Sequence, residues 1–175
     1  MNILIVVESY FGNTLTVAQA VAAGLSEVLG ADSVTTVSPS EAPREIPAGV
    51  GLLLVGAPTH DFAMPKEQTR RQAVEKGGTH GDGVGVREWI ENLPPRPELL
   101  VRTFDTSFEK MLSGSAAKSA YKLLRKRGFG GAERGESFHV AGRGGPLNEG
   151  EQRRAQEWGR QLAGTMTSTT RPGEQ

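Results

Sequence analysis

The stretch Asn2-Ile3-Leu4-Ile5-Val6-Val7-Glu8-Ser9-Tyr10-Phe11-Gly12-Asn13-Thr14 decides the fold. Ile3 to Val7 are apolar without the alternation of a half-exposed strand, which predicts a strand buried on both faces, as in the middle of a parallel sheet. After the polar turn, Val17, Val21, Leu25 and Val28 recur at i, i+4, i+8 and i+11 with Ala20 and Gly24 between them, predicting a helix with one apolar stripe. A buried strand that passes directly into a helix is the repeating unit of crossover-connected parallel sheets.

Outward from this unit the pattern repeats. Ser33 to Ser38 predicts a short, edge-like strand before Pro39, and residues 38–47 read as a loop or brief helix. Val50 to Ala57 is a second fully buried strand, stopped by Pro58. Residues 60–85 are polar and glycine-rich, an insertion over one face with a helix over Lys66 to Lys76 and an open loop from Gly77 to Gly85. Val86, Trp89, Ile90 and Leu93 restore helical spacing before Pro94-Pro95, and Leu99 to Phe104 predicts a fourth strand. Ser115 is the N-cap of a helix on Ala117, Ala120, Tyr121 and Leu124 closed by Gly128, and Ser137 to Ala141 is the fifth strand. Asn148 and Glu151 have capping-box spacing ahead of a helix on Ala155, Trp158, Gly159 and Leu162. The expectation is one α/β domain over residues 1–164, a doubly wound five-stranded parallel sheet covered on both sides, with a disordered polar tail over 165–175. Ligands in such sheets sit at the carboxyl ends of the strands, which selects Ser9 to Thr14, Pro58 to Phe62 and Asp105 to Phe108.

Composition narrows the chemistry. The 175 residues include 20 Lys and Arg, 20 Asp and Glu and no Cys, so dithiol redox chemistry and thiolate metal sites are excluded and any redox work falls to a bound cofactor. No apolar run approaches the roughly 18 residues of a membrane span and the N-terminus lacks a secretion signal, so a cytoplasmic, membrane-free protein is expected. The charge is uneven: 1 base and 6 acids up to Met64, 19 and 14 beyond. The basic run Lys118, Lys122, Arg125, Lys126 and Arg127 has no interleaved aromatics and reads as a solvated helix face, not a nucleic-acid surface. His60, Asp61, Glu75, His80 and Asp82 lack ligand spacing, so no metal site is expected, and no catalytic triad or nucleophile elbow appears.

Ser9 to Thr14 joins a strand to a helix N-terminus with hydroxyls at both ends and successive backbone N–H donors, which is an anion cradle needing no Lys or Arg. The bland alternative is an ordinary turn with Asn13 or Thr14 capping the helix. The Gly-Lys-Ser/Thr ending of nucleotide triphosphatases and the three glycines of a dinucleotide fingerprint are both absent. Tyr10, Phe11, Phe62 and Phe108 either meet a flat ligand or plug the loop ends against the core, and Phe11 is assigned to the core.

Glu8-Ser9-Tyr10-Phe11-Gly12-Asn13-Thr14 resembles the flavin mononucleotide (FMN) phosphate loop of the flavodoxins, with Phe11 where a hydroxyl residue is usual. Gly56-Ala57-Pro58-Thr59-His60 is similar to the second flavin loop, with His60 in the stacking position, and Phe104-Asp105-Thr106-Ser107 lies where flavodoxins bind the pyrimidine edge. Val86-Arg87-Glu88-Trp89, Ser113-Gly114-Ser115-Ala116 and Gly145-Pro146-Leu147 also resemble flavodoxin-domain proteins of actinobacterial type. The resemblance implies a three-layer α/β/α flavodoxin-like fold of strand order 2-1-3-4-5. It also implies FMN held by Ser9, Tyr10, Phe11, Gly12, Asn13 and Thr14, by Pro58, Thr59, His60, Asp61 and Phe62, and by Asp105, Thr106 and Ser107. The function implied is an electron-transfer protein with a redox partner, either a reductase or an acceptor protein. The alternatives are an FMN-dependent reductase using NAD(P)H and a quinone or other small-molecule acceptor, and a flavodoxin-like binding module without FMN. His60 in place of a larger aromatic implies redox potentials that vary more with pH.

Overall fold

A computed structural model describes residues 1–79, 83–109 and 114–169, so His80, Asp82, Ser113 and the last six positions lie outside the described residues. The elements in chain order are β1 (Asn2–Val7), α1 (Asn13–Leu29), β2 (Val34–Val37), β3 (Val50–Pro58), α2 (Glu67–Glu75), α3 (Val86–Glu91), β4 (Leu100–Phe108), α4 (Ala116–Lys126), β5 (Ala132–Val140) and α5 (Glu151–Thr169). The strands form one sheet of order β2-β1-β3-β4-β5, and every pairing is parallel. β1 lies between β2 and β3, Ile3 pairing with Val34 on one side and Leu52 on the other.

Strand parity divides the core. Ile3, Ile5 and Val7 face Val17, Val21 and Leu25 of α1 and Ala155 of α5, while Leu4 and Val6 share the opposite cluster with Val86, Trp89, Ile90, Ala120 and Leu124. This is why β1 reads as an uninterrupted apolar run: both faces are covered. α1 and α5 pack at glycines. A Cβ on Gly24 would lie 2.0 Å from the Gln156 carbonyl oxygen and one on Gly159 2.3 Å from that of Val21.

The structure changes four details. β4 runs to Phe108, so Asp105 to Ser107 are strand residues paired with Ser137 to His139, not a turn. β5 begins at Ala132; its first half is polar because it is a sheet edge, with Glu133 and Arg134 exposed, and alternation is weak there. Asn148 and Glu151 form no capping box. Glu151 instead accepts the His139 backbone N–H at 2.6 Å and pairs with Arg154 at 2.8 Å, a stronger outlet for a carboxylate than its own helix end. Residues 165–169, expected in the tail, continue α5, where Met166 is buried against the core.

Candidate functional site

The first loop follows from β1 and α1. Gly12, with φ of 86°, precedes the helix without a side-chain cap, and the Ser9 hydroxyl accepts the Leu15 backbone N–H at 3.3 Å. Among the described residues the N–H groups of Phe11, Gly12, Asn13 and Thr14 meet no protein acceptor. The Thr14 and Thr106 hydroxyls are 2.8 Å apart and buried, tying this loop to β4. Two hydroxyl hydrogens serve one mutual bond, so one donor remains for a ligand.

The second loop is a tight reversal. His60 and Ala63 exchange both backbone hydrogen bonds, and Asp61 and Phe62 occupy positive φ of 44° and 68°. A bulky residue in the left-handed region costs on the order of 1–3 kcal/mol, held here by the surrounding structure. The Ser115 N–H donates to the Phe62 carbonyl at 3.2 Å, and Gly114 lies so close that a Cβ would come within 2.3 Å of the Phe62 backbone. Phe62 is 68% exposed at the rim.

These loops meet in one cleft of about 290 Å³. Ser9, Tyr10, Phe11, Asn13 and Thr14 line one part, Pro58, Thr59, His60, Asp61 and Phe62 another, and Thr106, Ser107 and Phe108 a third. Phe11 belongs to this lining and to neither core cluster, because the neighbouring Tyr10 takes the buried place. Asp105 turns away: its carboxylate accepts from the Ser115 hydroxyl at 2.6 Å and the Ala117 N–H at 2.9 Å, anchoring α4. Thr59 does the same for the Ala116 N–H at 3.0 Å while it borders the cleft. The β4 backbone is committed to the sheet through Phe108, and positions 110–113 fall outside the described residues.

Sequence reasoning missed one wall and one rim. Thr69, Gln72, Ala73 and Lys76, on or just beyond α2, and Val140 and Arg143, at the end of β5, complete the cleft. The carboxyl end of the fifth strand was the available signal for Arg143. α2 is held by a buried polar cluster: Glu8 accepts from the Tyr10 hydroxyl and, at 2.8 Å, from the Val86 N–H. Arg70 stands 3.9 Å from Glu8 and grips Glu88 at 2.9 Å. Burial pushes the Glu8 carboxyl above the usual range, and the bonds from Tyr10 and Val86 and the Arg70 charge pull it part of the way back. Burial and the Glu8 carboxylate push the Tyr10 hydroxyl well up, so it stays a donor. The Tyr10 and His60 ring centres are 5.5 Å apart, and burial lowers the His60 pKa, with Asp61 opposing and Arg143 and Arg70 assisting.

No family model matches the chain and no curated protein is similar to it at the level of sequence. Solved structures are similar in fold. A flavodoxin from the domain Archaea superposes with a TM-score of 0.63 at 14% identity over 95% of this chain and 99% of that one. Flavodoxin 1 from Bacillus cereus gives 0.63 at 11% identity over 94% and 98%. A flavone reductase gives 0.58 at 13% identity over 100% of this chain and 66% of that one. The chain has the flavodoxin fold: an all-parallel sheet of order 2-1-3-4-5 between helix layers, with a cleft at the strand carboxyl ends.

Proposed function

We propose that the chain is a cytoplasmic FMN-binding electron carrier of flavodoxin type. The observation that carries this reading is the run of four unpaired amides, Phe11 to Thr14, at the start of α1 and at one end of a cleft lined by aromatic rings. A phosphate fits there because the amides and the positive end of the helix meet it together, adding hydrogen bonds of about 1.5–3 kcal/mol each to a charged acceptor. Bound FMN supplies the reversible electron chemistry. Ser9 and the Thr14–Thr106 pair orient the phosphate, Tyr10 and His60 form one wall against the ring, and Phe62 and Phe108 cover its rim from water.

Apoprotein titrated with FMN is expected to quench flavin fluorescence to a one-to-one end point, and a chain that binds no flavin overturns the reading. A redox partner protein is then the natural electron donor or acceptor. A second reading, an NAD(P)H-dependent reductase, draws support from the exposed Phe62 ring, a platform for an aromatic substrate, and from the fold likeness to a flavone reductase. Anaerobic reduction separates the two. A carrier stops at a one-electron level and reacts slowly with NADPH alone, whereas a reductase consumes NADPH when a quinone is added.

A further inference from the structure

The cleft carries two cations whose placement the four amides do not require. Lys76 stands at the end of α2, in a segment sewn to the first loop: the Thr79 N–H and hydroxyl both donate to the Tyr10 carbonyl, at 2.7 and 3.0 Å. Arg143 stands at the tip of a closed turn after β5, in which the Ala141 N–H bonds to the Pro146 carbonyl at 2.9 Å and the Gly145 N–H to that of Gly142 at 3.0 Å. That turn presses on the other flank of the same loop. A Cβ on Gly145 would lie 2.4 Å from Asn13 Oδ1, and one on Gly144 3.9 Å from the Phe11 ring.

Both side chains are exposed, both line the cleft, and neither pairs with a carboxylate among the described residues. Among the described residues the one acid lining the cleft is Asp61, on the second loop. The positive field of Arg143 is felt inside the cleft, since it adds to the burial that lowers the His60 pKa.

We infer that Lys76 and Arg143 flank the first loop as a two-sided cationic clamp on a dianionic phosphomonoester, and select the phosphorylated flavin over riboflavin by charge as well as by hydrogen bonds. This rests on the FMN reading above. The clamp makes binding depend on ionic strength in a way that a loop of neutral donors does not, because both ammonium and guanidinium are solvent-exposed and screened by salt.

The test uses apoprotein and measures dissociation constants for FMN and riboflavin at about 50 and about 500 mM NaCl, a range over which the screening length contracts severalfold. Lys76→Gln and Arg143→Gln are each expected to weaken FMN about tenfold at low salt, the loss of one charge-assisted contact, with riboflavin unchanged. Lys76→Arg and Arg143→Lys are expected to keep FMN within a few-fold of wild type, and raising salt is expected to weaken wild type more than the Gln variants. Thermal melts of each variant confirm folding. Gln variants that bind FMN as wild type does, or that lose riboflavin in equal measure, overturn the clamp while leaving FMN binding standing. Unchanged FMN binding with a higher NADPH requirement also overturns it, assigning the cations to a second anionic substrate. Wild type that binds no flavin overturns both readings.

Discussion

Thr14 and Thr106 show how much one hydroxyl pair settles. Thr14 is 2% exposed and Thr106 4%, so neither has water to fall back on. Thr14→Val leaves the Thr106 hydroxyl unsatisfied, a cost of about 1–3 kcal/mol, and Thr106→Val does the reverse. The double variant is expected to lose less than the sum of the two, which urea unfolding of the four apoproteins measures; strict additivity would show that the 2.8 Å contact does not couple the start of α1 to β4. His60 makes a second prediction. Its pKa is lower folded than unfolded, so folding favours the neutral ring and the unfolded chain binds more protons below the ordinary value of about 6.5. The stability so contributed is complete above that value and is lost as pH falls through the folded pKa. Unfolding free energy is expected to decline from about pH 7 toward pH 5, and His60→Asn to flatten part of that decline. The pH sensitivity expected of the cleft therefore belongs to the acid side of neutrality, where His60 gains its proton beside Asp61.

At the scale of elements, the cleft wall depends on β1, α2 and α3 being locked together by Glu8, Arg70 and Glu88. Glu8 is 5% exposed and Arg70 6%. Glu8→Ala strands the Val86 N–H, the Tyr10 hydroxyl and part of the Arg70 charge, and the expected loss is about 3–5 kcal/mol. Glu8→Gln keeps one acceptor and is expected to lose less. Hydrogen exchange distinguishes a local from a global effect: faster exchange centred on residues 67–75 and the Val86 amide is the expected result, because the cluster attaches α2 and the start of α3 to the sheet. The apolar periodicity of α1, α3 and α4 was legible in the sequence because each buries a stripe. The α2 helix was legible too, over Lys66 to Lys76, but its place at the cleft was not, because its buried face includes Arg70, whose partners Glu8, Gly83 and Glu88 are remote in sequence.

For the whole molecule, one sheet brings two loops and the ends of β4 and β5 to one place, so a ligand there binds only the folded chain. FMN at about a hundred times its dissociation constant is expected to add about 2.7 kcal/mol to the unfolding free energy. Calorimetry should then record a melting temperature about 5–10 °C higher, with riboflavin giving a smaller rise. No helix among the described residues is long and apolar enough to cross a membrane.

The sequence by itself determined the alternation of buried strands and helices, the parallel sheet, and the loops at the ends of the first and third strands, because burial on both faces writes an unbroken apolar run and a strand-to-helix turn is local. Only the tertiary structure decided what stands around those loops. Lys76, Arg143 and the α2 wall reach the cleft through long-range packing, and Asp105 faces α4 because β4 continues past the point where its apolar run ends. Such placements follow from which polar groups find partners across the fold, a pairing that residue spacing along the chain does not encode.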